Sequence, residues 1–523
     1  MDPVWLAIAF ILGFAVKQVG LPPLVGFLAA GFALQAFGVQ STDTLQAVAN
    51  YGVMLLLFTI GLKLRLKSLL KPQVWAVASL HMVATVAIFA VALLALSFWA
   101  GSMFAGLDVP TALLVAFALS FSSTVFAVKV LEEKGEMGSL HGRMAIGVLI
   151  MQDLFAVIFI TASAGKLPSP WALSLLGLLL LRPLLLLMMQ RAGHGELLVL
   201  LGLLLPIAGG VLFERVGLKP DLGALVLGVL LAGHPKADEL AKSLLSFKDL
   251  FLIGFFLTIG LSGGPSVQAL AVAGLLLVLV PVKTALFFGL FTRFKLRART
   301  ATVAALSLSN YSEFGLIVGT VAVAGGGMSQ AWLTVLALAV ALTFALAAPL
   351  NATAEQLYRG TRHWLQRFET ETRLPEDDYI SPGNAEVLVF GMGRIGTGAY
   401  DTLQERFGHA VFGVDFDEET VARHQRAGRT VAQGDATDSD FWERMHLSGR
   451  VRLALLTMSH HPANLHAAER IAADSPEITI AAIAKHDDEI AELEAAGVRH
   501  VFNFYAETGA GFAEDVCKRL EET

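Results

Sequence analysis

The chain has 523 residues, 55% of them hydrophobic and only 16% charged, with a mean hydropathy of +0.65. Soluble domains carry about 25% charged residues, so a wholly soluble protein is excluded and most of this chain belongs in lipid. The net charge of -6 hides a split: residues 1–350 hold 21 Lys+Arg and 14 Asp+Glu, whereas residues 351–523 hold 17 and 30. The acidic C-terminal part argues against a nucleic-acid partner. Cys517 is the single cysteine and excludes an intramolecular disulfide. The N-terminus carries Asp2 instead of a basic stretch, which reads as the start of a membrane helix, not a removed signal.

Taking about 20 apolar residues per span, hydropathy predicts thirteen membrane helices. They fall near 3–17, 21–38, 46–64, 75–100, 109–131, 141–163, 170–190, 196–214, 220–234, 248–262, 266–292, 301–324 and 330–350. An odd number puts the two ends on opposite sides. With the N-terminus outside, seventeen Lys and Arg of the connecting loops fall in the cytosol, from Lys17 and Lys63 through Arg143 to Arg297 and Arg299. Only Lys166, Arg215 and Lys219 fall outside, so the positive-inside rule places the C-terminal part in the cytosol; the resemblance described below implies a bacterial inner membrane.

Two of these helices carry polar interruptions, Ser120-Phe-Ser-Ser-Thr-Val125 in the fifth and Ser307-Leu-Ser-Asn-Tyr-Ser-Glu-Phe-Gly315 in the twelfth. They lie seven helices apart, as two inverted repeats would place them. Broken helices in matching positions point to a substrate site, because unwound backbone offers carbonyls and helix ends to an ion. Between Ile146 and Ala162 the sole ionisable residue is Asp153, preceded by Gln152. A charge at that depth costs roughly 2.5–3.5 kcal/mol on insertion scales, so it carries a task. The reading is that Asp153 takes up a proton in exchange for a cation, potassium by a modest lean. Gln152 supplies a neutral amide oxygen, and Ser123 and Thr124 supply ligands at the fifth-helix break. One titrating acid favours one-for-one exchange. Lys283 is the other ionisable residue deep in the bundle, and Glu313, in the twelfth-helix break, reads as charge balance near the crossed half-helices.

Residues 351–384 are polar, contain Pro375 and Pro382, and read as a helical exit and linker. From residue 385 the pattern changes to α/β. The strand Glu386-Val-Leu-Val-Phe390 runs into Gly391-Met-Gly-Arg-Ile-Gly396 and a helix, and a second strand ends in Asp415. This is a dinucleotide fingerprint in its proper context: Gly391, Gly393 and Gly396 for the turn, Arg394 and Ile395 opening the helix, Asp415 for ribose hydroxyls. Asp435, Ala436 and Thr437, in Gly434-Asp-Ala-Thr437, are placed to meet the base or ribose. No catalytic base is convincingly placed, so a regulatory nucleotide is expected and not an enzyme. The other classes weighed are a sodium/proton antiporter of the same fold, a ligand-gated potassium channel, for which no filter-like run is present, and a membrane-tethered NAD-dependent enzyme.

The chain resembles the Kef-type bacterial potassium/proton antiporters of the second monovalent cation:proton antiporter family, with a C-terminal nucleotide-binding (KTN/RCK) domain. The residues that carry the resemblance are Gly52–Leu62, His141-Gly-Arg143, Gln152-Asp153, Phe247-Lys248 leading into Gly254-Phe-Phe256, Glu313-Phe314, Gly391–Gly396 and Gly434–Asp438. The resemblance implies a membrane all-α exchanger with crossed discontinuous helices and an elevator motion, plus a Rossmann-like domain holding AMP or NAD(H). It also implies a homodimer, K+ and H+ as transported ions with K+ at Asp153, and a cytosolic ancillary regulator. In the family a basic residue at Lys283 can pair with the acid in the ion-free state. Glutathione-gated members carry His-Ala-Leu-Glu-Ser-Asp-Ile-Glu-Pro before the Phe-Lys, but here its acids fall on Ala241, Ser243 and Leu245. The expected division is thus an exchanger domain over 1–350, a helical linker over 351–384 and a nucleotide-binding domain over 385–523.

Overall fold

The computed structural model describes residues 3–19, 23–63, 70–99, 104, 107–163, 169–218, 220–234, 236–261, 264, 266–438, 440–442, 445 and 450–521. Arg65, Lys67, Lys166 and Lys219, four of the charges used to orient the chain, lie outside the described residues. The chain divides into two compact units. The first comprises Met1–Ala127, Met144–Phe294 and Ala304–Ala354, and the second Val128–Arg143, Lys295–Val303 and Glu355–Thr523.

The first unit is helical. In chain order it contains α1 (Pro3–Gln18), α2 (Pro23–Ala36), α3 (Asp43–Lys63), α4 (Pro72–Trp99) and α5 (Val109–Ser120). Next come α6 (Thr124–Glu133), α7 (Leu140–Ala162), α8 (Leu178–Arg191), α9 (Glu196–Arg215), α10 (Pro220–Leu231) and α11 (Ala237–Leu261). The last are α12 (Val267–Leu276), α13 (Val280–Arg293), α14 (Ala298–Ser307), α15 (Glu313–Ala324) and α16 (Gln330–Ala352). Helices α1, α2, α4 and α10 each begin on proline, whose missing N–H would be unsatisfied in the first turn anyway. Side-chain caps start others: Asp108 accepts from Thr111 N and Ser266 from Ala269 N.

By length and composition, six helical stretches among the described residues can cross a membrane, Val109–Leu131 and Leu140–Ile160 among them. Helix α11 begins at Ala237 instead of near 248, so the stretch compared with the acidic gating loop is helical. Helix α3 packs on α10 and α11. Met54, Leu55, Phe58 and Leu62 of α3 are buried with Leu227 and Leu230 of α10 and Leu240 and Leu244 of α11. In lipid such packing is held by van der Waals fit between side chains, not by removal from water.

The second unit holds a six-stranded parallel sheet in the order β3-β2-β1-β4-β5-β6, from β1 (Val387–Phe390), β2 (Val411–Asp415), β3 (Val431–Gln433), β4 (Leu453–Leu456), β5 (Thr479–Ala484) and β6 (His500–Asn503). Alternation along β1 sorts its residues onto two faces. Leu388 and Phe390 join Trp442, Ile471 and Ile480 on one side, and Val387 and Val389 join Tyr400, Val411 and Val421 on the other. α17 (Ala354–Leu365) precedes the sheet, α18 (Arg394–Phe407), α19 (Glu418–Arg426), α20 (His461–Asp474) and α21 (Asp487–Ala495) lie between its strands, and α22 (Phe504–Glu521) follows it. The strand order reverses between β1 and β4, where such sheets bind ligands at their carboxyl edge. This unit also takes Val128–Arg143 and Lys295–Val303, and with them the last residues of α6 and the first of α7 and α14.

Candidate functional site

Helix α5 stops at Ser120 because Phe121 is extended, with φ -71° and ψ 147°, and α6 restarts at Thr124. Such a break strips backbone groups of their helical partners, and each must find another. Ser122 N donates to Gln152 Oε1 at 2.9 Å, and Gln152 Nε2 returns to Ser120 O at 3.3 Å. Ser123 N donates to Asn310 Oδ1 at 2.6 Å, and Ser122 Oγ to Leu308 O at 2.8 Å. The second break, between α14 and α15, therefore meets the first. Gly315 allows this approach, as a side chain there would come within 2.3 Å of Ala118 O.

Two carboxylates flank the junction. Thr124 Oγ1 donates to Asp153 Oδ2 at 3.1 Å, and the adjacent Ser123 Oγ donates to Glu313 Oε2 at 2.7 Å. Asp153 is 1% exposed and Glu313 fully buried. Asp153 Oδ1 is buried with no hydrogen-bond partner among the described residues. Glu313 is the first residue of α15, and Asp153, in the middle of α7, meets Thr124, the first residue of α6, so each acid faces a helix N-terminus, where the macrodipole favours negative charge. Lys283 lies at the other polarity. Its Nζ donates to the carbonyls of Leu119, Phe121 and Asn310, at the C-terminal ends of α5 and α14. It makes no ion pair with Asp153, because the carbonyls take all its donors. The Gln152 amide oxygen is likewise engaged by Ser122 N and is a positioning group in this arrangement. Asn310, not singled out in the sequence, joins the two breaks; its amide in an apolar helix was the available signal.

In the second unit, Gly391 adopts φ +88°, with Met458 backbone atoms 2.9 Å from where a Cβ would sit, so only glycine turns there without strain. Gly396 packs on Gly391 O, which a Cβ would overlap. Gly393 precedes α18 and faces open space, with no atom within 4 Å of an added Cβ. Arg394 is exposed and Ile395 half-buried in the first turn. The cradle fits a phosphate: an open glycine before a helix N-terminus. Asp415 ends β2, accepting from Met392 N at 2.7 Å and Asp417 N at 2.9 Å, and burial raises its carboxyl above the ordinary value.

Asp435 and Thr437 turn toward a different partner. Asp435 Oδ1 accepts from Thr437 N at 2.9 Å, and Thr437 O accepts from Arg299 Nη2 at 3.0 Å. The buried Ala436 gives its carbonyl to Trp442 Nε1 at 2.6 Å. Arg299 also pairs with Glu355, while Arg297 binds Asp377 at 3.0 Å and Asp438 at 2.5 Å. Both guanidiniums are buried. Nearby, Arg143 donates to Phe416 O at 3.0 Å and Glu376 at 3.1 Å, and Gly138 lies against the Phe416 ring. His141 pairs with Glu136 at 3.1 Å. Burial pushes the Glu136 carboxyl up, but His141 and more distant cations overcome it and hold it at about 2.

Residues 6–352 match the family described as sodium/hydrogen exchanger, transmembrane. The chain belongs to that family. Residues 387–504 of this exchanger match the TrkA-N domain. The exchanger is similar to the glutathione-regulated potassium-efflux system protein KefC of Cronobacter sakazakii, 28% identical over 520 residues, 94% of this chain and 80% of that protein. Among solved structures, the NAD(P)-binding domain of an exopolyphosphatase-related protein from Archaeoglobus fulgidus is 24% identical, covering 26% of this chain and 98% of that one, TM-score 0.24. The sodium proton antiporter MjNhaP1 of Methanocaldococcus jannaschii is 14% identical, covering 68% of this chain and 97% of that one, TM-score 0.47.

Proposed function

We propose that this exchanger moves a monovalent cation, potassium first, against a proton at Asp153, under the control of an adenine nucleotide held by the second unit. The observation that carries the reading is the buried, unpartnered Asp153 Oδ1 beside the hydroxyl of Thr124 at a helix break. A desolvated carboxylate needs a counter-charge, and a proton or one dehydrated cation supplies it. Because the two compete for one group, exchange is coupled without a further device. Ser123 and Thr124 fix the carboxylates, and Gln152 and Asn310 fix the breaks.

Potassium is favoured over sodium by the name of relatives matched across most of the chain. Thirteen spans in inverted repeats, an outside N-terminus, an elevator motion, a homodimer and residence in a bacterial inner membrane belong to the same proposal. In the second unit AMP or NAD(H) would lie on Gly391–Gly396, and it regulates instead of reacting. Asp435 and Thr437 are engaged with each other and with Arg299, so the phosphate contacts are assigned to Gly391–Gly396.

The test is proton flux in proteoliposomes bearing a pH gradient, with potassium, sodium or choline added. Potassium should dissipate the gradient fastest. Asp153→Asn, which keeps shape but can neither release a proton nor neutralise a cation, should abolish that exchange, with thermal unfolding unchanged. Exchange by Asp153→Asn at the parent rate would refute the reading.

A further inference from the structure

Helix α17 has two faces of different character. Ala354, Tyr358 and Leu365 are buried on one. Tyr358 OH donates to Asp440 Oδ2 at 3.2 Å, Glu355 pairs with Arg299 and Arg359 with Asp474, so this side is fixed to the second unit. The other face carries Leu357, Trp364 and Phe368, which are 42%, 58% and 49% exposed. Phe368 stands in the turn Gln366–Phe368 that continues the helix, and its ring meets that of Trp364 edge to face at 5.0 Å. Steps of seven and four residues set the three on one stripe. Gly360, Thr361 and Arg367 share this exposed side. From Leu357 to Phe368 there are three arginines and no acid, although residues 351–523 hold 17 Lys+Arg against 30 Asp+Glu. An apolar, aromatic and basic face on an acidic domain calls for an apolar, anionic partner.

Chain connectivity supplies one. Helix α17 starts two residues after the end of α16, whose 23 residues are long and apolar enough to cross a membrane. Trp364 stands twelve residues past that end, about 18 Å at 1.5 Å per helical residue. We propose that α17 rests on the anionic lipid leaflet at this end of α16, with Leu357, Trp364 and Phe368 in the interface and Arg367 among the headgroup phosphates. Tryptophan gathers at that depth, and an arginine lays its stem on apolar surface while its guanidinium stays with the phosphates. Anionic lipids of the cytoplasmic leaflet attract each such cation. A second copy of the chain fits less well, because a stripe of three side chains falls short of the roughly 800 Å² per partner of a stable interface. A helix lying in the lipid interface needs only such a stripe. The proposal rests on α16 spanning the membrane and is independent of the ion exchanged.

The test places one nitroxide at a time on the full chain in liposomes. Trp364→Cys or Phe368→Cys is combined with Cys517→Ser, which removes the single native cysteine, and Glu405→Cys on the exposed side of α18 serves as reference. The nitroxide ring is itself apolar and replaces the aromatic ring it displaces. Relaxation by oxygen, which concentrates in lipid, is compared with relaxation by a water-soluble nickel chelate, in phosphatidylcholine with and without phosphatidylglycerol. With phosphatidylglycerol present, oxygen should reach the labels at 364 and 368 severalfold better than nickel does, and the label at 405 should show the reverse. Arg367→Glu, at an exposed position, should cut the oxygen preference severalfold while the melting temperature in detergent stays unchanged. If Trp364→Cys fails to fold, Phe368→Cys gives the same reading. Labels that nickel reaches freely in both lipids would overturn the proposal. So would an oxygen preference indifferent to both phosphatidylglycerol and Arg367→Glu, since the anionic surface would then play no part. Dipolar broadening between labels on two chains, lost on dilution with unlabelled chain, would overturn it by giving the face to a second copy.

Discussion

Gly393 separates a change in binding from a change in folding. A side chain at this position meets no atom within 4 Å, and its backbone is extended, so Gly393→Asp introduces no strain. It does set a negative charge at the N-terminus of α18, where a phosphate would sit. We expect Gly393→Asp to weaken AMP or NADH binding by about a hundredfold or more, on the scale of like-charge repulsion in a binding site, with an unchanged melting temperature; titration calorimetry checks it, and unaltered affinity would place the pocket elsewhere. At this scale the sequence was informative where a residue was chemically out of place. Asp153 stood alone among apolar neighbours, and Ser123 and Thr124 interrupted a helix. It was silent on partners: Asn310 meets Ser123 from 187 residues away, and Lys283 meets Leu119 from 164. Composition and spacing report local chemistry, whereas a side chain between two candidate partners is assigned only by packing.

Among the elements, the segment Lys295–Val303 shows what a local reading leaves out. Its arginines were read as loop charges that orient the chain, yet Arg297 and Arg299 are buried among Asp377, Asp435, Asp438, Asp440 and Glu355. β1, β2 and the start of α18 were legible from apolar runs and the glycine turn; β6 and α22, with weaker patterns, were not. The cluster makes a signed prediction. Burial opposes the charge on Asp438, but Arg297 and Arg299 overcome it and hold the carboxyl well below the usual range. A lowered acid stabilises the fold above its ordinary value of about 3.9, and that contribution is lost as pH falls through its folded value. Asp377 and Asp440 are shifted up, chiefly by burial, so their ionisation works against the fold as pH rises. Arg297→Gln removes the cation that all three share. Its cost at pH 7 should be about 3–5 kcal/mol, the usual penalty for stripping one partner from a buried pair. The remaining acids should then bind protons still more readily folded than unfolded, so the variant should gain more stability from pH 7 to 5 than the parent does. Melting curves of the full chain across that range check the sign, and a variant that weakens on acidification would contradict it.

For the molecule as a whole, the buried charges of the helical unit decide whether transport senses voltage. Asp153, Glu313 and Lys283 are the ionisable groups that meet at the two breaks, and the lysine is locked by three carbonyls. With both acids ionised the group carries a single negative charge. One potassium ion brings it to zero, and so does one proton. The loaded site is then neutral on both legs of the cycle, although Gln152 alone, read in the sequence as the neutral stand-in for a second acid, could not establish this because Glu313 supplies another carboxylate. A site that crossed with net charge would feel about 2.3 kcal/mol per 100 mV, enough to change a rate by roughly tenfold or more. Rubidium–proton exchange in vesicles clamped at different potentials should therefore proceed at one rate, and no current should accompany it. A rate that climbs steeply with potential would mean that Lys283 releases its proton during the cycle or that a second proton travels with Glu313. Either would also appear as a net current and as more than one proton moved per rubidium ion.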